Sequence, residues 1–215
     1  GIACAGAIAR VTDAEFALNG DGGGGTLDEE AGKPRFYALQ GAEKSYASFA
    51  LTARNPGGHS SQPRPDNAIY DLADALKALQ GYSFPVMWNE WTIGSFKASA
   101  PVTPGETGRA MAKFAAHPGD ADAAAVLAKT PAMVGRTRTT CVATMLQGGH
   151  AINALPQLAR AGVNCRVMPG ESSDAVRQTL VRVLADDEIK VTQMSQDVVS
   201  APSVLNDEIL GAITK

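Results

Sequence analysis

The sequence has no surplus of either charge, no long apolar run and few cysteines. Its 19 lysines and arginines nearly balance 22 aspartates and glutamates, for a net charge of −3, and no basic cluster stands out that would bind nucleic acid or a membrane surface. No apolar run approaches the ~20 residues of a transmembrane helix, and no signal peptide is visible. The apolar fraction of 45% is that of an ordinary globular protein, and the sequence does not indicate a compartment.

The three cysteines, Cys4, Cys141 and Cys165, are an odd number and include no CxxC pair. This pattern argues against a disulfide scaffold and against a zinc ribbon. Cys141 and Cys165 lie within alternating apolar segments, so we predict that both are small core residues.

The first part of the chain is small, apolar and rich in glycine. A strand candidate, Glu15–Leu18, precedes residues 19–25, which contain a G-x-G-x-x-G pattern. A dinucleotide-binding loop needs a helix directly after that pattern, but residues 26–35 are polar and have no helical apolar period. We therefore reject nucleotide binding and predict that the acidic run Asp28–Glu30 is a solvated loop. Because the chain begins at Gly1 and its first strand has nothing before it to pair with, we interpret the sequence as part of a longer protein.

The stretch Gly57–Ser61 joins a predicted strand to a predicted helix. Its two glycines allow backbone conformations closed to other residues, the prolines after it stiffen the exit, and Asp66 is placed to cap the helix. His59 is therefore held at a rigid corner. It either hydrogen-bonds a neighbour within the turn or is aimed at a group outside its own domain, and the residues alone leave both interpretations open.

The order of predicted elements from residue 45 to 195 is strand, helix, insertion, strand, strand, helix, strand. Apolar alternation marks the strands, and apolar positions three and four residues apart mark the helices. This order is the split βαβ arrangement, so we predict an α+β, ferredoxin-like fold with a four-stranded antiparallel sheet and both helices on one face. The predicted strands are 45–54, 139–146, 158–168 and 189–194. The two predicted helices of the fold are 67–80 and one that begins at Ser172 or Ser173, and a further helix is predicted over 203–214. The insertion, 82–138, is predicted to contain short helices at 108–117 and 120–129.

Four stretches of the chain form a recognisable series. They are Asn19–Gly24 (NGDGGG), Pro56–Ile69 (beginning PGGHSS), Gly148–Pro156 (GGHAINALP) and Asn164–Gly170 (NCRVMPG). In order and spacing, over residues 13 to 205, the series resembles the M20 family of metal-dependent peptidases and amidohydrolases, in the segment called the lid or dimerisation domain. The resemblance implies a partial segment of an α/β catalytic domain over residues 1–43, a lid over 44–197 and a return segment over 198–215.

The resemblance also implies roles for four residues. Asp21 corresponds to a carboxylate ligand of one zinc ion, and the whole enzyme would bind two. His59 corresponds to the lid histidine that reaches the active site of the other subunit in family dimers, where it would stabilise an oxyanion. Asn153 and Arg166 correspond to the pair that holds the substrate's carboxylate and amide oxygen.

The other residues of the family's metal site are absent from this sequence. It has no His-x-Asp motif, no Glu-Glu pair before Asp21 and no late histidine, whereas a catalytic zinc needs about three protein ligands. We therefore expect that this chain alone neither holds zinc tightly nor turns over substrate.

Two classes of function follow from these observations. In the first, the chain belongs to a hydrolase that cleaves peptide or N-acyl amino-acid amide bonds near a free carboxylate. In the second, it is a stand-alone dimerisation or binding module without catalysis. Both predict a homodimer, because the open sheet face, the unpaired edge strand and the helix over 67–80 are contact surfaces.

Overall fold

The computed structural model of this chain describes residues 24–196, 199–204 and 206–213. These residues fall into two compact units, divided after Glu43 and after Val199. The strand candidate Glu15–Leu18 and most of the glycine-rich run lie outside the described residues. None of the described helices is both long enough and apolar enough to cross a membrane.

The smaller unit contains an antiparallel hairpin of β1 (Gly24–Asp28) and β2 (Lys33–Ala38) and a helix, Asp207–Ile213. The loop predicted at the acidic run is correct for Glu29 and Glu30, which are exposed in the turn. It is wrong for Asp28, the last residue of β1, and the two strands on either side of the turn were not predicted. The backbone hydrogen bonds of a hairpin form without the alternating apolar side chains that sequence patterns detect.

The larger unit is the predicted ferredoxin-like fold. Its strands are β3 (Ser45–Arg54), β4 (Gly58–His59), β5 (Thr140–Gly148), β6 (Ala154–Leu155), β7 (Leu158–Val167) and β8 (Lys190–Gln193). Four of them form a sheet with the order β5-β7-β3-β8, in which all neighbouring strands are antiparallel. The two-residue strands β4 and β6 pair with each other in a separate antiparallel ladder.

Two helices, α1 (Ala68–Gly81) and α6 (Ser173–Leu184), cover one face of this sheet. The strands β3 and β7 bury every second side chain and the helices bury one side chain per turn, as their apolar spacing predicts. The fully buried core residues contributed by these four elements include Ala47, Phe49, Leu51, Leu72, Ala161, Val163, Val167, Val176 and Leu180.

The cap of α1 differs from the prediction by one residue. The side chain of Asn67, not of Asp66, accepts the hydrogen bond from the backbone N–H of Ile69, at 2.9 Å. Asp66 instead accepts from Asn55 Nδ2 at 2.7 Å. The cap of α6 is Ser172, one of the two predicted residues.

The cysteine prediction is correct about burial and wrong about bonding. Cys165 is fully buried and Cys141 packs against the same core, but the two form a disulfide between β5 and β7. They can do so because Cys141 and Cys165 are directly paired in the strand register. An odd cysteine count gives no information about register, which is why the sequence analysis missed the bond.

The insertion between α1 and β5 is helical and has a core of its own, centred on Phe96, Phe114 and Leu127. The rings of Trp88 and Phe96 meet Phe114 edge-on, at 5.9 and 5.7 Å between centroids. Two of its four helices were predicted from the sequence, and the first and last were not. They are α2 (Glu90–Ser99), α3 (Gly105–Ala116), α4 (Ala121–Leu127) and α5 (Pro131–Thr137), with a 3-10 turn at Ala100–Val102.

Candidate functional site

His59 lies in a loop between β3 and α1, which we call the His59 loop (residues 55–66). Gly57 in this loop has a φ of +79°, and a Cβ there would lie 2.6 Å from Gln157 Cγ. Gly58 has a φ of +148°. Only glycine adopts both conformations without strain, so the PGG sequence sets the path of the chain into the histidine.

The imidazole of His59 is exposed and bonded on one side only by its near neighbour Ser61. The backbone N–H of Ser61 donates to His59 Nδ1 at 3.2 Å, and the Ser61 hydroxyl lies 2.8 Å from the same nitrogen. Because Nδ1 accepts a backbone hydrogen bond, the neutral ring carries its proton on Nε2. The interpretation in which His59 bonds a neighbour within the turn is therefore confirmed. Its aim at a group outside the domain stays a prediction.

Asn153 lies next to His59, although 94 positions separate them in the sequence. His59 pairs with Ala154 through the β4–β6 ladder, and the Asn153 carbonyl accepts from the Ser60 N–H at 3.0 Å. Asn153 is exposed in the turn before β6, beside Ile152, which is fully exposed. The fold therefore places His59, on β4, beside Asn153, in the turn that leads into β6.

Arg166 lies at the opposite end of the sheet. It pairs with Tyr46 at the start of β3, whereas Leu158 pairs with Arg54, the last residue before the His59 loop. Eight positions of strand at ~3.3 Å each separate Leu158 from Arg166, about 26 Å. The structure thus brings His59 and Asn153 together and places Arg166 far from both.

The end of the sheet that carries Arg166 has a second cation, Lys44. Its Nζ donates to the carbonyls of Gly135 and Arg138 at 2.9 and 2.6 Å, close to the end of α5. Burial first, and then the positive charge of Arg166, lower the pKa of Lys44 to about 8, while Glu171 acts in the opposite direction. Two cations sharing this end favour an anionic group such as a carboxylate.

No metal site is formed by the part of the chain that the structure describes. Asp21, the predicted zinc ligand, lies outside it, and the described histidine, cysteine and acidic side chains contain no group of three or more that could hold a metal ion. The described residues therefore do not fit a zinc centre, and we assign no chemical step to one.

The edge strand β5 has large apolar side chains in solvent. Val142, Met145 and Leu146 are 58%, 65% and 68% exposed, and Ile69 at the start of α1 is 42% exposed. A Cβ at Gly148 would lie 3.2 Å from Ile69 Cγ1, so the helix start and the strand end are in contact. An unpaired strand edge bordered by exposed apolar groups is typical of an interaction surface.

Two residues that shape this site were not predicted from the sequence: Asn55 and Gln157. Gln157 Nε2 donates to the Pro56 carbonyl at 3.2 Å, and the Gln157 carbonyl accepts from the Asn55 N–H at 3.1 Å. Asn55 directly before Pro-Gly is a turn signal, but contacts across about 100 residues of sequence leave no local pattern.

These features define a ferredoxin-like domain with a polar site at each end and an exposed edge strand between them. Residues 41–192 match the family model described as the peptidase dimerisation domain of M20 peptidases. The chain therefore belongs to the M20 peptidase dimerisation-domain family, as the four sequence stretches predicted.

Two curated relatives are similar to this chain over most of its length. The "Probable carboxypeptidase S-like 2" of Dictyostelium discoideum is 28% identical over 161 residues, covering 74% of this chain and 30% of that protein. The mouse "N-fatty-acyl-amino acid synthase/hydrolase PM20D1" is 26% identical over 156 residues, covering 69% of this chain and 29% of that protein. The chain thus spans about a third or less of either relative.

An M20 family metallo-carboxypeptidase, Sso-CP2 from Sulfolobus solfataricus, has a TM-score of 0.46 and 18% sequence identity, covering 81% of this chain and 48% of that one.

Proposed function

We propose that this chain is the lid of an M20-type metal-dependent hydrolase that cleaves peptide or N-acyl amino-acid amide bonds near a free carboxylate. The observation that carries the proposal is the state of His59. Its Nδ1 accepts from the Ser61 N–H, which leaves an Nε2–H donor on an exposed loop beside Asn153. The names of the two curated relatives, a carboxypeptidase-like protein and an N-fatty-acyl-amino acid synthase/hydrolase, agree with this substrate class.

The chemistry assigned to each residue follows from its donor groups. Attack on an amide carbonyl produces an oxyanion, and a fixed N–H donor that meets it contributes about 10²–10³ in rate. His59 would be that donor, and Asn153 would hold the amide oxygen of the substrate. Arg166 has the planar fork that pairs with a carboxylate, and Lys44 adds a second positive charge at its end of the sheet.

The distance between the two ends supports a site that two copies of the chain share. About 26 Å separates the His59 loop from Arg166, more than an amide-linked amino acid spans, so one copy cannot supply both to one substrate. In a homodimer, His59 and Asn153 of one subunit would complete the site in which the other subunit's arginine holds the carboxylate.

We further propose that the homodimer forms through β5 and the start of α1. The variant Leu146→Lys places a charge on the exposed strand edge and should convert the dimer to monomer in sedimentation experiments. The matched control is Val181→Lys, which changes an exposed apolar residue, 47% exposed, on α6. A wild-type chain that is monomeric at high concentration would contradict the proposed dimer.

Zinc is the cofactor that the family resemblance implies, with two ions in the whole enzyme. Asp21 is the candidate ligand in this chain, and the remaining ligands and the general base would come from residues that this sequence lacks. We propose that the chain alone is inactive for that reason.

The test of the proposed function is His59→Ala in an enzyme that contains this chain together with a complete metal site. We expect kcat to fall by about 10²–10³ with a much smaller change in KM, because the lost donor acts on the transition state. The control is His117→Ala, which replaces an exposed histidine directly after α3. Equal kcat in both variants, with the dimer intact, would contradict the catalytic role proposed for His59.

A further inference from the structure

Asn55 is a buried polar residue to which the proposed chemistry gives no role. It directly follows β3, and only 9% of it is exposed. Its side-chain Oδ1 accepts from the Gly57 N–H at 2.9 Å, its Nδ2 donates to Asp66 Oδ2 at 2.7 Å, and its own N–H donates to the Gln157 carbonyl at 3.1 Å. One side chain therefore joins the beginning of the His59 loop to its end.

The far end of that connection is itself held in place. Arg64 donates to both oxygens of Asp66, from Nε at 3.1 Å and from Nη2 at 2.9 Å. The hydrogen bond from Arg64 is the main cause that lowers the pKa of the Asp66 carboxyl, so Asp66 is a carboxylate and a strong acceptor for the Asn55 amide. Asn67, the next residue, caps α1, which ties the loop exit to the helix.

His59 itself has little side-chain support. Its imidazole is exposed, and the contacts that hold it come from Ser61 two residues away in the same loop. The direction of Nε2–H is therefore set by the backbone of the loop, and that backbone is fixed at its base by Asn55 and in its middle by the Ser60–Asn153 hydrogen bond. A site must hold its groups to within about 0.5 Å to be effective.

We propose that Asn55 is the positioning residue of His59: by joining Gly57 to Asp66 across the loop base, it holds the imidazole in its outward orientation without touching substrate. The kinetic part of this proposal rests on the proposed function of His59, whereas the structural part does not.

The structural part is tested by amide hydrogen exchange on the 215-residue chain. In Asn55→Ala, we expect the exchange of the Ser60 amide to accelerate about tenfold or more, while the amides of β3 keep their wild-type rates. The matched control is Asn89→Ala, which removes another asparagine that accepts a backbone hydrogen bond, at the cap of α2. Wild-type exchange at Ser60 in Asn55→Ala would overturn the proposal.

A second variant keeps the test decisive if Asn55→Ala fails to fold. Asp66 is half-exposed, so Asp66→Ala leaves the core intact and removes the acceptor of the Asn55 amide together with the exposed ion pair to Arg64. It should accelerate the exchange of Ser60 in the same way. Unchanged exchange at Ser60 in this variant would then overturn the proposal.

The kinetic part is tested by a double-mutant cycle in the enzyme that contains this chain. Asn55→Ala should lower kcat about tenfold with KM within about twofold, and it should have no further effect in the His59→Ala background. A full effect of Asn55→Ala in that background would show that Asn55 acts by another route. If His59→Ala alone leaves kcat unchanged, the proposed function fails, and hydrogen exchange still decides whether Asn55 orders the loop.

Discussion

The disulfide between Cys141 and Cys165 makes a quantitative prediction about stability. It joins positions separated by 24 residues, and the chain-entropy relation for a closed segment of that length gives about 3.5 kcal/mol at 25 °C. Reduction should therefore lower the free energy of unfolding by about 3.5 kcal/mol. For a domain of this size that corresponds to a fall in Tm of about 7–14 °C.

The experiment compares the oxidised and reduced 215-residue chain by thermal and urea unfolding. Cys4→Ala serves as the background, so that no third thiol can exchange with the pair. In that background, the denatured oxidised chain should show no free thiol and the reduced chain two. The variant Cys141→Ala should reproduce the stability of the reduced chain, because Cys141 is only partly buried and its loss leaves little cavity.

Two results would refute this reasoning. If the oxidised chain shows two free thiols in the Cys4→Ala background, the pair is not bonded. If the bond is present but reduction leaves Tm unchanged, the loop-entropy argument fails for this domain, and residual structure in the unfolded chain becomes the better account.

Two further predictions concern Lys44 and Asn67. The pKa of Lys44 is about 8 in the fold and 10.5 in its ordinary state, so between these values the unfolded chain binds more protons and stability rises with pH. Because Lys44 is partly exposed, we discount the effect of this shift on stability. We expect the free energy of unfolding, measured with urea, to rise by about 1 kcal/mol from pH 8 to pH 10. This rise should be absent in Lys44→Met. The variant Asn67→Ala removes the cap of α1 and should lower the free energy of unfolding by about 1 kcal/mol in the same assay. Asn67→Asp, which keeps the acceptor, should cost much less, and equal losses in both variants would contradict the capping role.

The sequence predicted those parts of the fold in which side-chain burial has a regular period. The bounds of β3 agree with the prediction at both ends, and α1 agrees within one residue, because one face of each element is in the core. The hairpin β1–β2 and the short helix α5 were missed. Backbone pairing and short helical turns can form with no apolar period, so no pattern in the sequence marks them.

The candidate site was predictable in its parts but not in its arrangement. Glycine and proline around His59 predicted a sharp corner, and Gly57 and Gly58 have the positive φ values that such a corner needs. The contact of that corner with Asn153 depends on the β4–β6 pairing, and the distance to Arg166 depends on the register of β3 with β7. Register is set by the whole sheet rather than by neighbouring residues, which is why local motifs did not reveal it.

The separation of His59 from Arg166 leads to a test by mixed dimers. If His59 serves the partner's site and Arg166 its own, a heterodimer of His59→Ala with Arg166→Ala has one intact site and one that lacks both groups. Random exchange at equal amounts makes half of the dimers heterodimers, so mixing two inactive enzymes should restore about a quarter of the wild-type kcat. If both residues served the same subunit's site, each site of the heterodimer would lack one group. No recovery of activity on mixing, with exchange of subunits shown separately, would therefore contradict the two-copy site.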